Sequence, residues 1–145
     1  MWLAAIQLAT IVGMLHVFLA LHTWRPYLDG GVFLPPDVRL PLWLLSGVGL
    51  LVGTGIVTLG EITDRRVYAG GAALSVTYIL GYYSWHLGGH RSFFLAGEPA
   101  LHDSGPIEFV VSHTFAGPVE FFALLTEVAL LVVLIALIQR AGPEA

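Results

Sequence analysis

Four stretches of the chain are apolar enough and long enough to cross a lipid bilayer, and together they use up most of its 145 residues. Spanning ~30 Å of hydrocarbon takes roughly 20 mainly apolar residues. The stretches run over about 3–21, 42–59, 67–87 and 107–138. The expected fold is therefore an all-α integral membrane protein: a four-transmembrane-helix up-down bundle, one membrane domain over 1–145, with two longer loops on one side. Only 11% of the residues are charged, against about 25% in soluble domains, so no soluble catalytic domain is expected. The net charge of −4 is modest and no basic patch for nucleic acid stands out. Cysteine is absent, which excludes disulfides, thiolate metal ligands and thiol catalysis. All six cations are arginines, a usage expected of a GC-rich prokaryotic genome. The chain opens Met-Trp-Leu-Ala-Ala with no basic side chain, so its first stretch reads as a retained helix rather than a cleaved secretory signal.

In an up-down bundle the odd-numbered helices end, and the fourth begins, on the same side. That arrangement gathers all six histidines there. His16 and His22 lie in the exit half of the first stretch, His86 and His90 end the third, His102 lies in the next loop, and His113 is about one turn into the fourth. Ionisable residues in or just beneath a bilayer surface are rare and point to function. The two long connections, "TWRPYLDGGVFLPPDVRL" and "GGHRSFFLAGEPALHDSGPI", fall on this side too. Loops beyond ~12–15 residues are often functional, and the aromatics in these two read as an interfacial cap. Trp24, Trp43 and Trp85 read as headgroup-zone anchors. The opposite side carries the tight turn "EITDRR". Loop arginines set topology; Arg25, Arg39 and Arg91 on the histidine side balance Arg65, Arg66 and Arg140 on the other. Two arginines packed beside a helix end place the tight turn in the cytoplasm, and the histidine face outside the cell membrane.

Gly49 and Gly53 lie four apart in the second stretch, and the third opens "AGGAALS". Small residues at that spacing let helix backbones approach closely in lipid, so the second and third helices are expected to pack tightly across their short hairpin. In the fourth stretch His113, Glu120 and Glu127 recur every seven residues and share nearly one helical face. A carboxylate in hydrocarbon costs at least ~2.5–3.5 kcal/mol, so these two must be protonated, paired or turned inward. Pro118 removes a backbone donor, and a kink is expected there. Glu120 has two equal readings: proton path or metal wall, or a structural acid bonded to Thr54, Thr58 or Thr77. For Glu127, placed towards the far surface, the structural reading is preferred.

Three chemical readings follow. If the first helix ends near His22 and the fourth starts near Glu108, His16 and His113 lie ~9 Å and ~7.5 Å deep at 1.5 Å per residue, a matched depth. A haem b iron held between His16 and either His113 or His86 is the first reading, with Tyr82, Phe115 and Gly117 lining the macrocycle. In the second, three or four of His16, His86, His90 and His113, with Glu108 or Glu120, bind copper, zinc or iron; imidazole suits all three metals. In the third, histidines titrating near neutral pH relay protons with Glu120 and Glu127. The plain alternative is interfacial histidines bonded to backbone or lipid. It holds its own for any one of them and less well for six together.

Catalytic patterns are missing: no HExxH, ExxH or GxSxG occurs, so the chain is not read as an enzyme. The HxxxH of "HLGGH" is similar to one histidine box of membrane desaturases, whose HxxHH boxes are absent. The "YYSWH" ending one helix and the "VVSHTFAGPVEF" opening the next resemble, over about two helices, small histidine-bearing membrane proteins associated with haem-copper oxidase assembly. That resemblance implies a respiratory role. The expectation is a membrane protein whose one-sided histidine site binds haem b or a transition metal in respiratory electron transfer or oxidase assembly. The alternatives are a non-catalytic accessory subunit of a larger respiratory membrane complex and a small proton or metal-ion carrier.

Overall fold

A computed structural model describes residues 1–60, 65–88 and 104–140. Every regular element among the described residues is a helix: α1 (Trp2–Asp29), α2 (Arg39–Thr58), α3 (Arg65–Leu87), α4 (Pro106–Thr114) and α5 (Pro118–Arg140). Three of these, α1, α2 and α5, are long and apolar enough to cross a membrane. The 23 residues of α3 provide the length, but Tyr, Ser, Thr and Gly dilute its apolar run and it is not among the three.

Two boundaries differ from the sequence expectation, each for a backbone reason. The first helix does not end near His22 but continues through Pro26 to Asp29. Pro26 forfeits the bond its N–H would have made and crowds the carbonyl of His22, yet the helix runs on. The stop comes at Gly31, with φ +76°, a conformation glycine takes without a Cβ penalty. Gly31 N–H donates to Leu28 O at 2.9 Å and Val32 N–H to Tyr27 O at 2.8 Å. These paired bonds satisfy the last carbonyls of the helix. Much of the expected first loop is therefore helix. The second difference is that the expected fourth helix is two. Pro118 has no N–H to offer the Thr114 carbonyl, so α4 ends and Pro118 takes the first position of α5, where proline is well suited. The expected kink is a full break.

α1 lies along α2 for much of its length, and α5 packs on both α3 and α1. The helices follow one another around the bundle as α2, α1, α5, α3, with α2 and α3 barely meeting. An open seam separates those two. A core of Ala5, Val12, Leu50, Ala72, Leu130 and Leu134 fills the half of the bundle where α1 and α3 begin. A cavity of about 240 Å³ opens beside it, lined by Trp2, Val57, Tyr68 and Gly70 among others.

Gly49 and Gly53 line this seam instead of closing it, and a Cβ added at either meets nothing within 4 Å. The close helix crossing lies elsewhere, between α1 and α2 at Gly13 and Gly47. A Cβ on Gly47 would sit 2.8 Å from Gly13 O, and one on Gly13 would sit 3.0 Å from Gly47 O. Two residues turn a helix by about 200°, so when Gly47 faces α1, Gly49 faces away from it. Gly47→Ala is expected to destabilise the bundle by about 1–3 kcal/mol through overpacking. Gly49→Ala and Gly53→Ala should be neutral or slightly stabilising, because they replace glycine inside a helix. Thermal unfolding in detergent checks the ranking.

Candidate functional site

Among the described residues one carboxylate is buried. Glu127 of α5 is 4% exposed and His16 of α1 is 5% exposed, with His16 Nε2 at 3.5 Å from Glu127 Oε1. The His16 ring lies flat on Tyr78 of α3, with ring centres 3.7 Å apart and planes 17° from parallel. His16 Nδ1 is 2.9 Å from Val12 O of its own helix. A carbonyl only accepts, so Nδ1 carries the hydrogen and Nε2 is the atom turned towards the carboxylate. This depth follows from the length of α1. From His16 the helix runs on to Asp29, about 20 Å of further rise. His16 therefore does not share the depth of His113 but reaches the middle of α5.

Threonines do not supply the partner. Thr54, Thr58 and Thr77 each donate to a carbonyl one turn back in their own helix, at 2.7, 2.7 and 2.9 Å. Backbone bonding of this kind competes with any bond across helices. Thr126 also bonds its own helix. What surrounds Glu127 is His16 from α1 and Tyr78 from α3. The Tyr78 hydroxyl is buried without a hydrogen-bond partner among the described residues, with Ser46 of α2 nearby.

Glu120 has a different place. It lies in the first turn of α5, three residues after Gly117, and its carboxylate folds back over Gly117, where any added Cβ would collide with it. An acid at this position favours the exposed N–H groups and positive end of the helix dipole. The helix break takes His113 out of the seven-residue register with Glu120 and Glu127.

At the histidine end, His86 and His113 come together from α3 and α4, with ring centres 4.5 Å apart and planes at 71°. Their Nδ1 atoms lie 2.9 Å from Tyr82 O and 2.7 Å from Phe109 O. Tyr82 Oη donates to His113 O at 2.7 Å, and the Tyr83 hydroxyl meets Thr114 Oγ1 at 2.8 Å. Two tyrosines of α3 thus hold the broken end of α4. His22 is exposed and stacks on Phe18, with ring centres 5.6 Å apart. His90 and His102 lie outside the described residues. Among the described residues no three His, Asp or Glu side chains gather as a metal site. The haem arrangement does not fit this packing. Glu127 and Tyr78 occupy the Nε2 and the face of His16. Metal–nitrogen bonds of about 2 Å would set imidazole centres on opposite sides of an iron about 6 Å apart, and His86 and His113 are closer.

Arg39 at the start of α2 closes the seam at this end. Its Nε–H donates to Asp37 Oδ1 at 2.9 Å, and its guanidinium lies 3.8 Å from the Trp85 ring centre and 5.3 Å from that of Trp43. Trp85 and Trp43 therefore stack on a cation. Sequence reasoning missed this clamp and also Tyr78. The signal was the four-residue spacing Tyr78, Tyr82, His86, which lines one helical face. Comparison with known proteins adds nothing to this geometry: no protein-family model, curated protein or solved structure matches the chain.

The Arg39 side-chain hydrogen bond is the main cause that holds the Asp37 carboxyl below its usual range, against the raising effect of partial burial. A carboxyl lowered in the folded state contributes fully above its unfolded pKa and loses that contribution as pH falls through the folded value. Tryptophan fluorescence should therefore stay constant down to about pH 4 and shift below it as Arg39 loosens from Trp85. Asp37→Asn should produce the shifted spectrum at neutral pH.

Proposed function

We propose that this protein is a small proton carrier of the cell membrane, with the His16–Glu127 pair as its proton-loading site. The observation that supports this reading is a carboxylate and an imidazole facing each other at 3.5 Å, both almost fully buried, in a chain with few other interior charges. An isolated charge in such a place is costly, whereas acid with neutral imidazole, or carboxylate with imidazolium, leaves the pair net neutral. One proton moves between Glu127 Oε1 and His16 Nε2, and no other bond changes. Because His16 Nδ1–H is committed to Val12 O, the ring takes and returns its proton through the same atom. The pair stores a proton; passing it across the ring requires the ring to turn.

In this reading α3 completes four spans, its 23 residues rising about 34 Å, and the histidine end lies outside. A place in a larger respiratory membrane complex is the proposed setting, in line with the sequence resemblance.

Buried ion pairs are often no better for stability than apolar residues of similar volume, while removing one partner costs about 3–5 kcal/mol. Glu127→Leu or His16→Leu alone should therefore destabilise strongly, and the double variant should recover native stability or better. In proteoliposomes carrying a pH-sensitive dye, the folded double variant and Glu127→Gln should lose proton flux on the order of a hundredfold, and Glu120→Gln should retain it. Undiminished flux in Glu127→Gln would overturn the reading.

A further inference from the structure

We propose that the seam between α2 and α3 takes up one acyl chain of an anionic phospholipid, whose headgroup phosphate is held by Arg65 and Arg140 at the end of the bundle where α1 and α3 begin. The second acyl chain stays in the surrounding bilayer. The site shares no residue with the proton-loading pair and does not depend on that reading.

Two independent observations carry the proposal. The first is the cavity in the seam. Its volume is about 240 Å³, and its wall comes from α1 (Trp2, Ala5), α2 (Gly53, Val57) and α3 (Tyr68, Leu74), among others. Carbon dominates that wall. The Thr54 hydroxyl within it donates to Leu50 O at 2.7 Å and so needs no outside partner. An apolar space of this kind stays dry, and in a membrane the filling at hand is hydrocarbon. A helix is about 10–12 Å across, so a space of about 240 Å³ admits no helix of a partner or a second copy. A single acyl chain is slender enough to enter.

The second is the charge at the mouth of the seam. α3 and α5 run antiparallel: Gly71 lies against Leu134, and Tyr78 stands by Glu127. Arg65 comes six residues before Gly71 and Arg140 six after Leu134, so both lie about 9 Å beyond that contact, at one level. Both also prolong an inward stripe. Arg65 precedes Tyr68 and Ala72 by three and seven residues, and Arg140 follows Leu137 and Val133 by three and seven. Residues at those spacings share a helical face, and these four belong to the core or pack against it. Tyr68 and Leu134 line the cavity as well, which ties the two arginines to it. Among the described residues no carboxylate lies at this end: Asp29, Asp37, Glu108 and Glu120 are at the other, and Glu127 is inside. Glu61, Asp64 and Glu144 lie outside the described residues. A phosphate between two arginines meets paired N–H donors and relieves the repulsion between them. Basic pockets between membrane helices hold anionic headgroups in this way. Trp2 and Tyr68 in the wall are the aromatic types that favour the headgroup zone.

The test is native mass spectrometry of the full chain, purified in a mild detergent and titrated with phosphatidylglycerol. Phosphatidylcholine with the same acyl chains is the neutral probe. One phosphatidylglycerol should be retained per chain, in preference to phosphatidylcholine by about tenfold or more. Arg65→Gln and Arg140→Gln should each weaken retention about fivefold. Gly53→Leu fills the seam from a position where an added Cβ meets nothing within 4 Å, and should displace the lipid while the chain stays folded. Glu127→Gln should bind lipid as the unaltered chain does. Phosphatidylglycerol carrying a photoreactive group in its acyl chain gives a readout that needs no variant: its adducts should map to the α2 and α3 residues of the seam. Equal retention of the two lipids, adducts outside the seam, or a dimer in place of a lipid-bound monomer would overturn the proposal. None of these readouts involves proton flux, so either reading can fail while the other stands.

Discussion

A carboxylate carried into a low-dielectric interior has to be neutralised there, and Glu127 sets the arrangement of everything around it. The threonine hydroxyls of Thr54, Thr58 and Thr77 are already bonded to their own backbones. The partner must then come from another helix at the same depth. That requirement gives the length of α1 a consequence: only a helix continuing to Asp29 sinks His16 far enough to meet the middle of α5. It also gives the Gly13–Gly47 crossing a role, since the contact lies within one turn of His16 and an added Cβ on Gly47 would come 3.1 Å from His16 Cβ. Packing of α1 on α2 and placement of the imidazole are one local problem. Tyr78 then covers the face of the ring and leaves only its edge for the carboxylate.

The break between α4 and α5 poses the opposite problem, because it frees backbone carbonyls instead of burying a charge. Non-helical backbone at such a place needs partners from neighbouring helices. Tyr82 gives its hydroxyl to His113 O, and Tyr83 meets Thr114. The same residues that repair the break also fix the spacing of His86 and His113. On the other side of the break the Glu120 carboxylate covers the start of α5. The acid that looked most like a proton group in sequence acts on the structure of a helix end, and the one assigned to the far surface sits in the interior.

That reversal marks how far the sequence could be read. Helical character and three membrane-length apolar helices follow from hydrophobic runs whose signal is strong over about 20 residues. Pro118 was legible as a disruption, because a missing N–H is a local fact. Helix ends were not legible to the accuracy the site required. The apolar run suggested an end near His22, yet the helix continues to Asp29, seven residues or about 10.5 Å further. That error set His16 level with His113 instead of at the middle of α5. The glycines failed for a related reason. Their spacing says that a close approach is possible, but not which face turns to which neighbour, so Gly49 and Gly53 were chosen over Gly47. Pairings such as His86 with His113, or Arg39 with Trp85, depend on the order of helices around the bundle, which no local pattern encodes.

The two ends of the bundle differ in a way that bears on how a proton reaches the interior. Towards the starts of α1 and α3 the path from Glu127 is lined by Leu130, Leu134, Ala5 and Ala72, with an apolar cavity at the open seam. None of these side chains can hold or pass a proton. Towards the histidine end α3 offers Tyr78, Tyr82 and His86 at successive turns, and Arg39 with Trp85 draws α2 across the seam. Polar side chains thus recur along α3 between the rim and the pair, while the other half is mainly apolar, with Tyr68 and Thr54 at its cavity. On the proposed reading, the pair loads from the histidine end. In that proposal, net transfer needs a change in the apolar half, and the α2–α3 seam, where the helices stand apart, is its proposed place.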